Sequence, residues 1–367
     1  MFDRRLIQHF DWGLLLLTIM LCGLGLTVLS SAVSGSSSPF QKILFLKQWI
    51  WYAAGGLVMS LFFLVDYKYM DRWAYVIYTA SVLLLLAVLF LGKTAGGSRR
   101  WLAMGPFTLQ PSEVVKIAVI IVLARCFSRR MKSGGLDFRD LFLPFVLVLI
   151  PFALIVKQPD LGTGMVVLLI AGSMTLFVKI EKRTFVFLLI IAAIAAGSGW
   201  FFLKEYQKQR IMTFLNPDRD PLGAGYHIIQ SKIAIGSGQI SGKGFYRGTQ
   251  NILSFLPEQH TDFIFSVLAE EWGFTGSVLL HLLFMTLIVW GLNIAYHCRN
   301  AFATILAVGS CAMIFWQAVI NLGMVMGLMP VVGVPLPLIS YGGSSVLTIM
   351  ICIGILMNVS MRRFVSE

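Results

Sequence analysis

The chain has 367 residues, of which 57% are hydrophobic and 13% are charged, with a mean hydropathy of +0.82 and a formal net charge of +12. This composition excludes a water-soluble globular protein, because apolar runs near 18 residues recur along the chain and are typical of membrane-spanning helices. In a soluble protein the charge would indicate a nucleic-acid partner. Here the positive-inside rule accounts for most of it, so we expect no nucleic acid.

Ten apolar runs are long enough, or nearly long enough, to predict membrane-spanning helices. Two of them, 141–156 and 162–178, are short, so they would have to thin the bilayer locally or pack against neighbouring helices. The first run is too long for a typical signal-peptide core, so we interpret it as an uncleaved span. The runs are residues 12–33, 48–65, 73–91, 111–127, 141–156, 162–178, 185–203, 273–296, 302–322 and 342–361. We predict an all-α integral membrane protein of about ten transmembrane helices, in which residues 1–367 form a single polytopic membrane domain.

The distribution of lysine and arginine predicts which side of the membrane each loop occupies. With the N-terminus in the cytoplasm, the cytoplasmic ends of the spans hold most of the cations and the short outer loops hold few. The cytoplasmic set is Arg4, Arg5, Lys68, Arg72, Arg125, Arg129, Arg130, Lys132, Arg139, Lys179, Lys182, Arg183, Arg299, Arg362 and Arg363. We therefore predict a multi-pass protein of the cytoplasmic (inner) membrane with both termini in the cytoplasm. A large extracytoplasmic loop, 204–262, lies between spans seven and eight.

Loop 204–262 is too long to be only a connector. Within it, Tyr226, Ile229 and Ile233 are spaced for one face of a helix, which predicts a helix lying on the membrane surface. The glycine-rich run 236–244 lacks the Walker A spacing, and it could be either a backbone nest for a phosphate or a plain flexible turn. The other sizeable outer loop, 92–110, holds a glycine turn followed by cations and an interfacial aromatic residue.

Two outer-face helix starts resemble each other in sequence. One is Gln110-Pro111-Ser112-Glu113, followed by Lys116, and the other is Gln158-Pro159-Asp160. Proline suits the first turn of a helix, and helix N-termini favour anions. Two interpretations remain open for this pair of motifs. Either Glu113 or Asp160 neutralises Lys116 in a structural ion cluster, or Lys116 helps to hold a lipid diphosphate.

Asp262 ends the long outer loop and begins a membrane helix. A carboxylate there is costly to place, so its presence needs a reason. It could be a helix cap or an ion-pair partner. Alternatively, a carboxylate partly withdrawn from water has a raised pKa and can act as a general base on a sugar hydroxyl, with His260 two residues away to tune it. The outer-loop cations, together with Asp262, indicate a phosphorylated lipid substrate; they are Lys204, Lys208, Arg210, Lys232, Lys243 and Arg247.

The segment from Pro330 to Ser344 is apolar and interrupted by proline and glycine. Irregular backbone at membrane depth is tolerated only against protein or a cavity. We therefore expect this segment to line an outer pocket together with Asp262 and the outer-loop cations. The five cysteines form no CxxC pair, so we expect neither disulfides nor a metal site. A divalent cation such as Mg or Mn could assist the chemistry, but no dedicated site is evident in the sequence.

In these motifs the chain resembles the SEDS family of cell-wall polymerases, from the fourth predicted span to the tenth. One further string, Gly248-Thr249-Gln250 ahead of Phe255-Leu256-Pro257-Glu258, is more similar to the members that act in cell elongation than to those of cell division. The strings that carry the resemblance are Gln110-Pro111-Ser112-Glu113 with Lys116, Gln158-Pro159-Asp160-Leu161-Gly162-Thr163, Asp220-Pro221-Leu222-Gly223-Ala224-Gly225-Tyr226, Gly242-Lys243-Gly244, the segment 257–265, and Pro335-Leu336-Pro337 with Ser340-Tyr341-Gly342-Gly343.

The resemblance implies a peptidoglycan glycosyltransferase that uses lipid II, the undecaprenyl-diphosphate-linked disaccharide pentapeptide. It implies a class B penicillin-binding protein, with the elongation machinery, as partner, and it places the family's essential aspartate on Asp262. The residues predicted to bind substrate are Lys116, Glu113, Asp160, Arg210, Lys232, Lys243, Ser340 and Tyr341. Two rival functions are a flippase for lipid-linked precursors and a non-enzymatic elongation scaffold. A flippase would spread polar positions through the full membrane depth, whereas the ionisable residues here cluster at the outer end, and a scaffold would not require Asp262.

Overall fold

The computed structural model describes residues 10–34, 39–95, 98–104, 107–132, 134–219, 223–252 and 258–363. Most of this part of the chain is helical, and a short 3-10 turn at Pro217–Arg219 separates two of the helices. The elements in chain order are α1 (Trp12–Ser34), α2 (Pro39–Leu64), α3 (Tyr67–Leu91), β1 (Lys93–Ala95), β2 (Ser98–Met104), β3 (Phe107–Leu109), α4 (Pro111–Ser128), α5 (Phe138–Lys157), α6 (Leu161–Phe177), α7 (Lys182–Phe202), α8 (Glu205–Leu215), α9 (Ala224–Ser237), α10 (Thr249–Ile252), α11 (Ile264–Tyr296), α12 (Ala301–Val325) and α13 (Gly343–Arg362).

Each of the ten predicted spans coincides with a helix. Within the described ranges, six helices are long and apolar enough to cross a membrane by length and composition, namely α1, α3, α5, α11, α12 and α13. The chain is therefore a multi-pass membrane protein. Helix α6 has only 17 residues, and α4 carries Glu113, Lys116 and Arg125 within 18 residues, so neither fits a simple apolar span.

A small antiparallel sheet in loop 92–110 departs from the all-α prediction. Strand β1 pairs with β2 and β2 pairs with β3, in the order β1-β2-β3. Strands β1 and β3 have only three residues each, and the seven residues of β2 do not alternate between polar and apolar, so none of the three shows a strand pattern in the sequence. This is why the sequence indicated only a turn with cations. The sheet places Arg100 beside the starts of α4 and α6.

Helices α12 and α13 form the centre of the bundle. The most apolar stretches of these two helices are 78% and 89% buried within the protein, whereas those of α1, α3 and α5 are between 28% and 33% buried. Helices that are buried on all sides need polar groups to be satisfied by other protein groups, because no water is available. The site described below lies where the C-terminal end of α12 meets the turn before α11.

Helix α11 is broken at Gly273, which has φ +63°. The glycine-rich turn 238–244 fills the break. Lys243 N and Gly244 N donate to the carbonyls of Glu270 and Glu271 at 3.0 Å each, and Phe274 N donates to Gln239 O at 2.8 Å. Because these backbone groups bond to the helix, the run is an ordered structural turn and those N–H groups are not free to cradle a phosphate.

Replacing Gly273 with alanine should destabilise the protein. A Cβ there would lie 2.3 Å from Gly242 N, and the positive φ is strained for any other residue. We expect Gly273→Ala to lower the unfolding free energy by more than about 1 kcal/mol. Thermal melts in detergent check this against Gly236→Ala on α9, where an added Cβ meets nothing within 4 Å. Equal melting temperatures for the two variants would contradict the prediction.

The predicted surface helix corresponds to α9, but its packed face differs from the expected one. Ile228, Ser231 and Ala234 are buried, while Ile233 is exposed. Ser231 Oγ donates to Val325 O at 2.6 Å and shares a hydrogen bond of 2.8 Å with Ser266 Oγ. The stripe predicted from Tyr226, Ile229 and Ile233 is therefore not the face that packs on α11 and α12.

Candidate active site

Asp262 lies in the turn 258–263, immediately before α11. The helix cap is Phe263, which makes no side-chain capping bond, so Asp262 is not the cap. Among the described residues its carboxylate forms no hydrogen bond or ion pair. The motif residues Phe255, Leu256 and Pro257 lie outside the described residues, as do Asp220, Pro221 and Leu222.

Three successive carbonyls of this turn are held from the bundle side. Tyr341 N donates to His260 O at 2.9 Å, Ser340 Oγ donates to Thr261 O at 2.6 Å, and Asn321 Nδ2 donates to Asp262 O at 2.9 Å. Ser340 Oγ also accepts from Leu336 N at 2.8 Å. The predicted pocket segment 330–344 therefore does contact the Asp262 turn, and Ser340 and Tyr341 do so through direct bonds.

Burial and charge both act on the Asp262 carboxyl. Burial, and then the negative charge of Glu258, raise its pKa to about 6, while Arg210 and Arg100 act in the opposite direction. Burial also lowers the pKa of His260, whose Nε2 lies 3.9 Å from Glu258 Oε2. A carboxyl with a pKa near 6 is ionised at neutral pH and still basic enough to accept a proton.

Gly333 forms the wall in front of the Asp262 carboxyl. It has φ +74°, and a Cβ added there would lie 3.5 Å from Asp262 Oδ2. The next residue, Val334, bonds to α12 through its carbonyl, which accepts from Asn321 Nδ2 at 2.8 Å. The wall and the carboxyl are thus held by the same helix.

Two arginines bring positive charge to this carboxyl. Arg210 lies on α8 and is partly buried, with its guanidinium 5.9 Å from the centre of the Tyr206 ring. Arg100 extends from β2, donates through Nε to Gln158 O at 3.4 Å and through Nη2 to Pro159 O, and lies 3.6 Å from Asp160 Oδ1. Arg210 was predicted from the outer-loop cations. Arg100 was not, because only the sheet shows where its side chain lies.

Asp160 caps α6 and connects it to α4. Its Oδ1 accepts from Thr163 N at 3.3 Å, and its Oδ2 accepts from Thr163 Oγ1 at 3.0 Å and from Gln110 Nε2 at 3.3 Å. The two look-alike helix starts are therefore joined by a direct hydrogen bond. Asp160 is paired with Arg100 rather than with Lys116.

Lys116 forms a closed, buried ion pair with Glu113. The Nζ–Oε1 distance is 2.7 Å, and the two side chains are 1% and 4% exposed. Thr348 Oγ1 donates to the other carboxylate oxygen, Glu113 Oε2, at 2.9 Å. Of the two predicted partners for Lys116, the structure therefore selects Glu113. A role for either residue in holding substrate remains a prediction.

Lys232 and Lys243 lie in different surroundings within the segment between α8 and α11. Lys243 Nζ is 2.7 Å from Glu270 Oε1 and 2.7 Å from Thr249 Oγ1, so it neutralises a buried carboxylate beside the break in α11. Lys232 is exposed, and its side chain crosses Gly327, where an added Cβ would lie 2.2 Å from Lys232 Cε. Their predicted contacts with substrate are not tested by this geometry.

Two residues of the site, Arg100 and Asn321, were absent from the sequence prediction, and Gly333 was included only as one member of the segment 330–344. The sequence showed that Arg100 is a basic residue in loop 92–110 and that Gly333 belongs to the 330–344 segment. It did not show which residues either of them contacts. Asn321 gave no signal in the sequence, because a single amide inside an apolar helix is usually a packing residue. Within the described ranges, no group of three or more His, Cys, Asp or Glu residues is arranged to hold a metal ion.

The fold and this site together define a polytopic helical membrane protein with a partly buried carboxylate whose pKa is affected by two arginines. The sequence model of the FtsW/RodA/SpoVE family, described as "Cell cycle protein", matches residues 12–364. The chain belongs to this family, which confirms the resemblance noted from its motifs.

Relatives and solved structures agree with this assignment. The chain is 43% identical to "Peptidoglycan glycosyltransferase MrdB" of Escherichia coli (strain K12), over 94% of this chain and 93% of that protein. It is 32% identical to "Peptidoglycan glycosyltransferase RodA" of Treponema pallidum (strain Nichols), over 98% and 99%. A chain from "Structural coordination of polymerization and crosslinking by a peptidoglycan synthase complex" is 31% identical, with a TM-score of 0.82 over 97% of this chain and 99% of that one. Thermus thermophilus RodA is 29% identical, with a TM-score of 0.72 over 97% and 98%.

Proposed function

We propose that this chain is a peptidoglycan glycosyltransferase that polymerises lipid II into glycan strands at the outer leaflet of the cytoplasmic membrane during cell elongation. One observation carries the proposal beyond the names of the relatives. Asp262 has no hydrogen-bond or ion-pair partner among the described residues, its pKa is raised to about 6, and two arginines act on it. This is the arrangement that a general base beside an anionic substrate requires.

The reaction follows from these groups. Asp262 takes the proton of the acceptor's sugar hydroxyl, and the hydroxyl oxygen attacks the anomeric carbon of the donor. The bond from that carbon to the lipid diphosphate breaks, and its electron pair leaves with the diphosphate. Arg210 stabilises the negative charge that develops on the leaving group, and Arg100, which is also paired with Asp160, adds positive charge on the same side. Lys232, whose side chain is exposed, is suited to contact the same anion.

The residues predicted to bind substrate fall into two groups: those that form the walls of the site and those whose charge is paired within the protein. Ser340, Tyr341 and Asp160 shape the site through bonds to the protein, and we assign them to its walls. Lys243, Glu113 and Lys116 are paired within the protein, so any contact with substrate would be made while their charge is already balanced. A divalent cation could add positive charge beside the lipid diphosphate, but the sequence indicates no residues that would bind it.

We propose that ten helices cross the membrane, that residues 1–367 form one polytopic domain, and that both termini are cytoplasmic. Loop 204–262 would then face the outside with Asp262 at its end, which is where lipid II is polymerised. The lysine and arginine distribution supports this orientation.

Cysteine labelling tests the orientation. Met131 and Gln209 are exposed and fall on opposite sides in the proposed topology. In a background lacking the five native cysteines, we expect an impermeant thiol reagent to label Gln209→Cys in intact cells and to leave Met131→Cys unlabelled until the cells are opened. Labelling of Met131→Cys in intact cells would reverse the orientation and place Asp262 on the wrong leaflet.

We further propose a class B penicillin-binding protein as partner, acting within the elongation machinery. One structural neighbour comes from a peptidoglycan synthase complex described as coordinating polymerisation with crosslinking. A glycan polymerase without a transpeptidase domain needs such a partner to produce crosslinked wall. The function as a whole is tested with purified protein, labelled lipid II and gel-resolved glycan, with and without that partner. Absence of polymer under both conditions would contradict the proposal.

The pH dependence of polymerisation should report the Asp262 carboxyl. A base with a pKa of about 6 is protonated below that value, so kcat should fall as the pH drops through about 6 and level off above it. Replacing Glu258 with glutamine removes a charge that raises this pKa, so the acid limb should move to lower pH. A kcat that does not change as the pH passes through about 6 would exclude Asp262 as the base.

A further inference from the structure

Asn321 connects three parts of the site through one amide group. It lies on α12 and is fully buried. Its Nδ2 donates to Asp262 O at 2.9 Å and to Val334 O at 2.8 Å. An amide nitrogen carries two hydrogens, so both donors are used. One bond fixes the turn that carries Asp262, and the other fixes the segment that forms the wall in front of it.

The location of the Asp262 carboxyl depends on its backbone. Within the described part of the chain no side chain bonds to that carboxyl. Its place is therefore set by the turn, whose carbonyls at 260, 261 and 262 are held by Tyr341, Ser340 and Asn321. Only the Asn321 bond reaches the residue that carries the carboxyl.

Asn321 also fixes the distance across the site. Gly333, next to the bonded Val334, is the residue whose added Cβ would come within 3.5 Å of Asp262 Oδ2. Because both bonds come from one rigid amide, the backbone that carries the carboxyl and the segment that forms the wall cannot separate without breaking one of them. We infer that Asn321 is a positioning residue that sets the place of the Asp262 carboxylate relative to the wall at Gly333. This inference rests on the proposed role of Asp262 as general base.

A buried amide at position 321 lowers the stability of the protein unless its hydrogen bonds compensate for that loss. Asn321 Oδ1 is buried and has no hydrogen-bond partner among the described residues, and such a group lowers stability. An apolar side chain of the same size would avoid that cost but would leave the carbonyls of Asp262 and Val334 without their donor. The N–H groups are thus the part of the side chain that the site needs.

Gln317 provides a matched control on the same helix. It lies one turn before Asn321 and is also fully buried, but neither its Oε1 nor its Nε2 has a hydrogen-bond partner among the described residues. Changing either residue to leucine removes a buried amide from α12. Only the change at Asn321 removes bonds to the site.

The test measures kcat, KM for lipid II, the pH profile of kcat and the melting temperature of Asn321→Leu, Gln317→Leu and Asp262→Asn. We expect Asn321→Leu to lower kcat by about 10²-fold, the loss typical of a misplacement near 1 Å, with KM changed only a few-fold. Its acid limb should also move to lower pH, because a displaced Asp262 carboxyl is better hydrated. Gln317→Leu should keep the parental kcat and pH profile. If Asn321→Leu does not fold, Asn321→Ser replaces it under the same criteria, since serine is too short to bridge both carbonyls.

The outcomes separate the two ideas. A folded Asn321 variant with parental kcat and an unmoved pH profile overturns the positioning role, while an inactive Asp262→Asn leaves the base role in place. Equal losses in Asn321→Leu and Gln317→Leu overturn it as well, because they indicate a general effect on α12. An active Asp262→Asn would instead remove the proposed function on which the inference rests.

Discussion

Asp262→Asn should abolish most glycan polymerisation while leaving the fold and lipid II binding intact. The amide keeps the size of the side chain but cannot accept the proton of the sugar hydroxyl. General-base catalysis contributes about 10²–10⁴-fold, so kcat should fall by at least that order. Because the carboxyl bonds to no other described side chain, the substitution breaks no observed contact. Gel-resolved glycan from labelled lipid II measures the loss.

Asp218→Asn is the matched control. It makes the same chemical change in the same loop, 204–262, at an exposed position in the 3-10 turn, and should leave polymerisation unchanged. A near-parental rate in Asp262→Asn would show that Asp262 is not the base. A variant that melts early and binds no lipid II would show instead that Asp262 acts in folding.

Lys116→Met should have the largest effect on stability. It leaves Glu113 as an uncompensated buried charge, since the pair is 2.7 Å apart and nearly inaccessible to solvent. Breaking a buried pair by removing one partner costs about 3–5 kcal/mol. We expect a markedly lower melting temperature, and the double variant Lys116→Met with Glu113→Gln should recover much of it, because no charge is then left unpaired.

The double variant also decides between the two interpretations of this motif. If Lys116 is only structural, a refolded double variant should polymerise lipid II at close to the parental rate. If Lys116 holds the lipid diphosphate, the double variant should fold but should bind lipid II weakly. A single Lys116→Met variant that melts at the parental temperature would contradict the buried ion pair itself.

The helices were predictable because apolar length is a local property. All ten predicted spans fall on helices, and errors concern mainly where they begin. Helix α3 starts at Tyr67 rather than near 73 because Asp66 accepts a hydrogen bond from Lys68 N and caps a polar first turn. Helix α11 starts at Ile264 rather than near 273 because the break at Gly273 joins two helical pieces that hydropathy treats separately.

The site was predictable only where a residue's chemistry was unusual for its place. Asp262, at the border of loop and helix, was evident as a misplaced charge, and the proline-rich segment was evident as irregular backbone. Arg100 depends on a sheet whose strands show no alternating pattern in the sequence, and Asn321 depends on a bond to Asp262, which is 59 positions away. Neither contact has a local sequence signal, because each exists only after the chain has folded.

The break at Gly273 makes the N-terminal piece of α11 a short rigid arm. Asp262 lies two residues before the start of this piece, and Glu270 lies near the break, where Lys243 connects it to the glycine-rich turn. The residues from Ile264 to Gly273, rising about 1.5 Å each, make an arm of about 14 Å. On such an arm a tilt of about 5° displaces the far end by about 1 Å, a displacement large enough to change a catalytic rate about 10²-fold. The bonds from Asn321, Ser340 and Tyr341 to the Asp262 turn oppose such a tilt, so they also hold this arm in place.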